Sequence, residues 1–169
     1  TTDGDTYNYS VELFEAKFPL LVHQYALNTD EGVGEGRYRG GFGAVREFDI
    51  LADDAFTYAS FGRSVEPPWG LKGGAKGSCN FMEIKSAKEI RRVARIPYHA
   101  LQPGDRVRVV TGGGGGYGDA FARPPQEVLD DVLNDYITSA IARDQYGVVL
   151  TPDGGVDDTA TETLRAARG

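Results

Sequence analysis

The sequence predicts an α+β fold: a β-rich domain with Gly-rich loops over residues 1–123, followed by a C-terminal helical cap over 124–169. Three observations lead there. Short β-branched and aromatic runs recur between turn residues through the first two-thirds of the chain. Sixteen of the 23 glycines fall into three short windows, 32–43, 70–77 and 112–118. After the Pro124-Pro125 pair the apolar residues switch to helical spacing.

The strands come first. Residues 20–27, 44–51, 55–61, 80–84 and 106–111 each read as a strand bounded by turn residues. In the last of these, Val107 and Val109 alternate with Arg106 and Arg108, so one face is apolar and the other charged. Pro103-Gly104-Asp105 is the turn that leads into it. From Gln126 to Tyr146 the residues Val128, Leu129, Val132, Leu133, Tyr136, Ile137, Ile141 and Tyr146 repeat at helical spacing, with acids early and Gly147 as the stop. Thr138-Ser139 is a poor helix pair and splits the segment in two, the second helix running from Ser139 to Gln145 with Ser139 as its cap. Residues 148–150 then predict a short strand, 151–155 a turn, and Asp158 to Arg168 a final helix starting from Asp157 or Asp158. No internal repeat is visible.

Composition bounds the function classes. With 169 residues, 40% hydrophobic content and 25% charge, the chain is long enough to bury a core and too polar for a membrane protein. No apolar run approaches the roughly 18–20 residues of a spanning helix. Cys79 is the single cysteine, so there is neither an internal disulfide nor a CxxC zinc pair, which points to a reducing compartment and a cytoplasmic location. The chain starts at Thr1-Thr2, as expected of a processed product or of a piece of something longer.

A net charge of -7 argues against a general nucleic-acid binder. The charge is graded along the chain, however: residues 63–110 hold ten bases and four acids, while the segments on either side are acidic. A basic middle suits phosphate, a carboxylate, or acidic neighbours in one assembly, and the last is the reading preferred.

The third glycine window, Gly112 to Gly118, formally satisfies G-x-G-x-x-G after a strand through Gly113, Gly115 and Gly118. A dinucleotide loop runs straight into a helix, whereas here the next helix waits until Pro124, so that reading is rejected. Gly73-Gly74-Ala75-Lys76-Gly77-Ser78 likewise has Lys and Ser in the wrong register for a phosphate-binding loop. Five successive glycines can still aim backbone N–H groups at an anion, or let another backbone pass close. Gly113, Gly114, Gly115, Gly116, Tyr117 and Asp119 are therefore a candidate substrate- or anion-facing loop, in which Asp119 either orients a ligand or caps a turn. Arg37, Arg39, Arg46 and Trp69 are candidates for subunit-facing or structural loop positions, with Arg37 and Arg39 expected to pair with carboxylates across a loop. His23 and His99 lack metal-ligand spacing, Cys79 has no histidine beside it, and no serine sits in G-x-S-x-G, so no metal site or nucleophile is expected of this chain alone.

Several blocks in order resemble one family. They are Glu15-Ala16-Lys17-Phe18-Pro19-Leu20, then Gly34 to Gly43 with Arg46-Glu47, then Arg63 with Pro67-Pro68-Trp69-Gly70-Leu71 and Gly73-Gly74, then Gly104-Asp105 leading to Gly113 to Asp119, and finally Tyr146-Gly147-Val148-Val149. From Tyr7 to Leu150 the chain resembles the C-terminal third of hydantoinase B proteins, the family that includes half of 5-oxoprolinase and a large subunit of acetone and acetophenone carboxylases. The resemblance implies a hetero-oligomeric ATP-dependent enzyme. ATP is held by its hydantoinase A-type partner subunit, and the B-type chain helps hold a small-molecule ketone or cyclic amide, with ATP and a divalent metal bound mainly by other chains. It also implies that the remainder of the B-type subunit is a partner of this segment, and that no nucleic acid or membrane is involved. Two departures bear on substrate identity: Ala75-Lys76-Gly77-Ser78 replaces a second Pro-Gly loop, and Ala120 replaces a frequent proline. Tyr7, Tyr9, Phe14 and Trp69 would suit an aryl ketone, or equally a core or a subunit contact. The reading leans to ketone carboxylase over cyclic-amide hydrolase. A non-enzymatic binding or scaffolding β-domain and a small nucleotide-binding protein using Gly112 to Gly118 are its rivals.

Overall fold

The computed structural model describes residues 8–168, so Tyr7 lies outside the described residues. The chain is α+β, with a mostly antiparallel five-stranded sheet, a two-stranded sheet and four α-helices. Helix α1 (Val11–Lys17) precedes β1 (Leu20–Asn28), and β2 (Gly43–Ile50), β3 (Phe56–Ser60), β4 (Phe81–Lys85), β5 (Ile90–Val93), β6 (Arg95–Ala100) and β7 (Arg106–Val110) follow. The larger sheet runs β1-β2-β7-β4-β5, and β3 pairs with β6 in the smaller. The five strands expected between residues 20 and 111 all form. The first helix and strands β5 and β6 are additions to that expectation.

Two compact units divide the chain, and the division does not fall at Arg123. One unit gathers the residues up to Ala26 with Val45–Phe61 and Phe81–Val110; the other gathers Leu27–Ala44, Gly62–Asn80 and the chain from Thr111 onward. The helices of 124–169 thus share a unit with the glycine loops instead of standing apart.

In the first unit the register explains the β7 pattern. Val107, buried, and Val109, partly buried, pack in a cluster with Ile50, Met82, Ile84, Ile96 and Leu101. On the other face Arg106 lies opposite Asp49 and Arg108 lies opposite both Glu47 and Glu83, so each cation finds carboxylates across the strands. Val110, wholly buried, joins Val45 and Phe81 in a second small cluster.

In the second unit, α2 (Pro125–Leu133), α3 (Ser139–Tyr146) and α4 (Asp158–Ala166) surround a core of Val128, Ala142, Tyr146 and Val148. Proline stands in the first turn of α2, where its missing N–H costs nothing. The break falls where the sequence placed it, but the cap of α3 is Thr138, not Ser139: the Thr138 hydroxyl accepts from Ile141 N at 3.2 Å. Gly147 ends α3 in the left-handed region at φ 63°. Of the strand expected at 148–150, only a bridge from Leu150 to Val156 forms, while Asp157 caps α4 as expected. Among the described residues no helix is long and apolar enough to cross a membrane.

Candidate functional site

The glycine run is the axis of the second unit, and two glycine-rich loops wrap it. Gly34 N donates to Gly114 O at 2.8 Å, and Gly114 N donates to Gly41 O at 2.9 Å. From the other loop, Leu71 N donates to Gly116 O, while Gly116 N donates to Ala75 O and Gly118 N to Leu71 O, each at 2.9 Å. Tyr117 and Tyr38 exchange both of their backbone bonds, at 2.8 and 3.0 Å. Side chains complete the pattern: Gly112 N donates to Asn80 Oδ1 at 2.7 Å and Gly113 N to Ser78 Oγ at 2.8 Å.

Segments this close leave no room for side chains. A Cβ on Gly40 would run into the Gly114 carbonyl, and one on Gly116 into that of Glu35. The hydrogens that stand in their place point at carbonyl oxygens, as in tightly packed strands. Of the two uses the sequence offers for the glycines, close passage of backbone is the one this geometry displays. The amides of Gly112, Gly113, Gly114, Gly116, Tyr117 and Gly118 all donate within the chain.

The remaining candidate residues take distinct places. Asp119 caps a 3-10 turn at Ala120–Ala122, its carboxylate accepting from Phe121 N at 3.1 Å, and lies 3.5 Å from Arg168. Tyr117 is half-exposed with its ring 6.3 Å from that of Tyr38, over which the Arg37 guanidinium also lies. Trp69 is exposed, with Arg63 4.8 Å from its ring centre. Arg39 does find a carboxylate, though on a helix: it grips Asp131 of α2 with two bonds of 2.9 Å, which raise the pKa of the guanidinium. Arg123 shares the same buried carboxylate at 3.2 Å. Arg46 belongs to the other unit, where it lies over the rings of Phe14, Tyr25 and Phe48 and donates to Asn8.

The sequence marks Arg39 as one half of an ion pair but not its partners, because Asp131 reads there as one more acid in the first half of a helix. Among the described residues no three His, Cys, Asp or Glu side chains gather as a metal-ligand set.

This is an α+β chain in which glycine-rich loops are threaded on a polyglycine axis and pinned to a helix by a buried ion cluster. Residues 1–120 match the family model described as Hydantoinase B/oxoprolinase, and the chain belongs to that family. It is 40% identical over 165 residues to the beta chain of the caprolactamase of Pseudomonas jessenii, covering 93% of this chain and 28% of that one. It is 33% identical over 168 residues to a protein of Pseudomonas sp. strain NS671 named as the B-type chain of a D-/L-hydantoinase, covering 98% and 28%. The chain therefore spans about 28% of the length of the curated relatives it matches. The crystal structure of the ATP-dependent caprolactamase from Pseudomonas jessenii superposes with a TM-score of 0.78 at 34% identity, over 93% of this chain and 28% of that one. The nucleotide-free acetone carboxylase structure does so with a TM-score of 0.80 over 95% and 26%, and at 24% identity shares the fold alone.

Proposed function

We propose that this chain is the scaffold and part of the substrate-site wall of an ATP-dependent cyclic-amide hydrolase, acting in a hetero-oligomer. The observation that carries this is the 40% identity to a caprolactamase beta chain over nearly the whole chain. It favours the amide side over the ketone carboxylase toward which the sequence leans. A hydantoinase A-type subunit supplies the ATP site, the remainder of the B-type subunit completes the substrate site, and ATP with a divalent ion is held mainly by those chains. In this reading ATP phosphorylates the amide oxygen, one water adds to the activated carbon, the C–N bond opens to free the amine and leave an acyl phosphate, and a second water hydrolyses that to carboxylate and phosphate. The glycine core keeps the surrounding loops in fixed register while that chemistry proceeds next to them.

The test is ADP release by the assembled cytoplasmic complex. Release is expected with a lactam, a hydantoin or oxoproline, and not with acetone or acetophenone plus bicarbonate. Ketone-dependent release would replace the proposal with the carboxylase. ATP consumption with neither class would leave a non-enzymatic scaffold.

A further inference from the structure

In the first unit the small sheet leaves one long edge open. Strand β6 pairs with β3 along one side, and among the described residues no strand pairs with β3 along the other. The ends of the β3–β6 ladder show which groups that edge presents. Leu101 N donates to Ala55 O around the Phe56–Ala100 pair, and Phe61 N donates to Ala94 O around the Ser60–Arg95 pair. Bonds that bracket a pair in this way mark it as non-hydrogen-bonded, so the N–H and C=O of Phe56 and of Ser60 point away from β6. Beside β3 runs a groove of about 490 Å3, floored by Phe48, Ile50, Met82, Val107 and Val109 of the large sheet. Val107 lies opposite Phe48, and Val109 opposite Met82, so this floor is one apolar face. None of the residues lining the groove is an acid, a lysine, an arginine or a histidine.

Exposed sheet edges are ordinarily guarded by charge or proline. The β5 edge exposes Arg91 and Arg92, and β6 holds Arg95 and Pro97. Strand β3, from Phe56 to Ser60, has neither charge nor proline; its one irregularity is a register shift between Thr57 and Ala59, with Phe56 and Ser60 on either side of it. We infer that an extended strand adds to β3, its backbone pairing with Phe56 and Ser60. One row of its side chains, uncharged and apolar, fills the groove, and the other lies beside the exposed Phe56 and Tyr58. The strand comes from the part of the B-type subunit that the relatives carry outside the matched segment. This chain covers 28% of each of two such relatives, so most of their sequence lies there. A second copy of this chain pairing β3 with β3 fits worse. The inward side chains of β3 are Thr57, whose hydroxyl lies against the Met82 sulfur, and Ala59, packed on the core, and side chains that small would leave the groove largely unfilled. The inference rests on the reading that the remainder of the B-type subunit is a partner, and not on the reaction proposed above.

Hydrogen exchange resolved to single amides, on the assembly as isolated, tests the edge. The Thr57 amide faces β6 and serves as the internal standard. Phe56 and Ser60 are expected to exchange within about tenfold of Thr57, whereas an open edge would let them exchange on the order of a hundredfold faster or more. Photo-crosslinking from Tyr58→p-benzoylphenylalanine identifies the occupant, and the crosslink is expected on B-type sequence outside these 169 residues. Ser60→Pro removes an outward donor and spares the β3–β6 ladder, so it should lower the crosslink yield about threefold to tenfold, while Ser60→Ala leaves it unchanged. Slow exchange at Thr57 in the proline variant verifies that β3 still forms. Fast exchange at Phe56 and Ser60 in an assembly that contains the B-type remainder, or equal yields in the two Ser60 variants, would overturn strand addition and leave the catalytic reading standing. A crosslink to a second copy, to another stretch of this chain or to the A-type subunit would overturn the occupant. An assembly without the B-type remainder would overturn both this inference and the reading it rests on.

Discussion

Gly40 and Gly41 stand side by side in the sequence and do opposite things in the structure. A Cβ on Gly40 would strike the carbonyl of Gly114, whereas one on Gly41 would meet nothing within 4 Å. Neither is held at a positive φ, so steric room alone separates them. Gly40→Ala is therefore expected to cost about 1–3 kcal/mol or more, since the obstacle is backbone and cannot rotate away. In a chain of this size that lowers the Tm by at least several degrees, at roughly 2–4 °C per kcal/mol. Gly41→Ala should be close to neutral, or stabilising by up to about 1 kcal/mol through the unfolded state. Scanning calorimetry of the two variants decides: equal losses would mean that the glycines serve flexibility and not close approach. The sequence exposes the clustering of these residues but not which glycine touches what, because that depends on how three distant windows come together. The same holds for Tyr146, which reads as one apolar position of a helix and turns out to be the largest fully buried side chain among the described residues.

Strands β2 and β7 carry a charge ladder whose pH response can be worked out. Arg106 of β7 donates two hydrogen bonds to the carboxylate of Asp49 directly across from it, and these hold the Asp49 carboxyl below the usual carboxylate range. A carboxylate depressed in the folded state stabilises the fold above its unfolded pKa, about 3.9, and that contribution is lost as pH falls through the lower folded value. Asp49→Asn should accordingly melt below the parent protein near neutral pH, with the gap closing as the pH drops below about 4. The pair is partly exposed, so high salt should also narrow the gap. A difference that grows toward acid would show that the pair does not stabilise the strand pairing. This ladder was visible in advance as the alternation of Arg106 and Arg108 with two valines. Strands β5 and β6 were not: β5 is an edge strand whose Ile90, Arg91 and Arg92 are all exposed, so it shows no buried periodicity. β6 contains Pro97, which cannot donate to a ladder, and it sits in a sheet of only two strands, where one side needs no ladder hydrogen bonds. Helix α1 buries no residue at all, and only its cap could have marked it, with Ser10 Oγ accepting from Leu13 N.

At the scale of the molecule, apolar surface is left facing outward in a pattern that a finished globule would avoid. Tyr58 is 74% exposed, Val65 82%, Trp69 63% and Tyr98 63%. On the small β3–β6 sheet the rings of Phe56 and Tyr98 stack at 5.0 Å and are both more than half exposed, which makes a patch instead of scattered single residues. A chain that spans about 28% of its relatives' length has a ready source of cover for such surface in the sequence its relatives carry beyond it. The blocks that place the chain in its family are glycine and proline positions that set backbone paths, which is why the family is legible from sequence. Substrate identity is not, because glycine and proline positions fix the path of the backbone and carry no side-chain chemistry that selects a substrate. Native mass spectrometry of the protein as isolated tests the point. The expected result is an assembly of hundreds of kilodaltons in which this chain is accompanied by larger ones, with the aromatic patch protected from hydroxyl-radical labelling until the assembly is dissociated. A lone 18.3 kDa species with Phe56, Tyr58 and Tyr98 labelled from the start would show that the patch faces solvent in the working protein, and would turn the reading toward a free-standing binding domain.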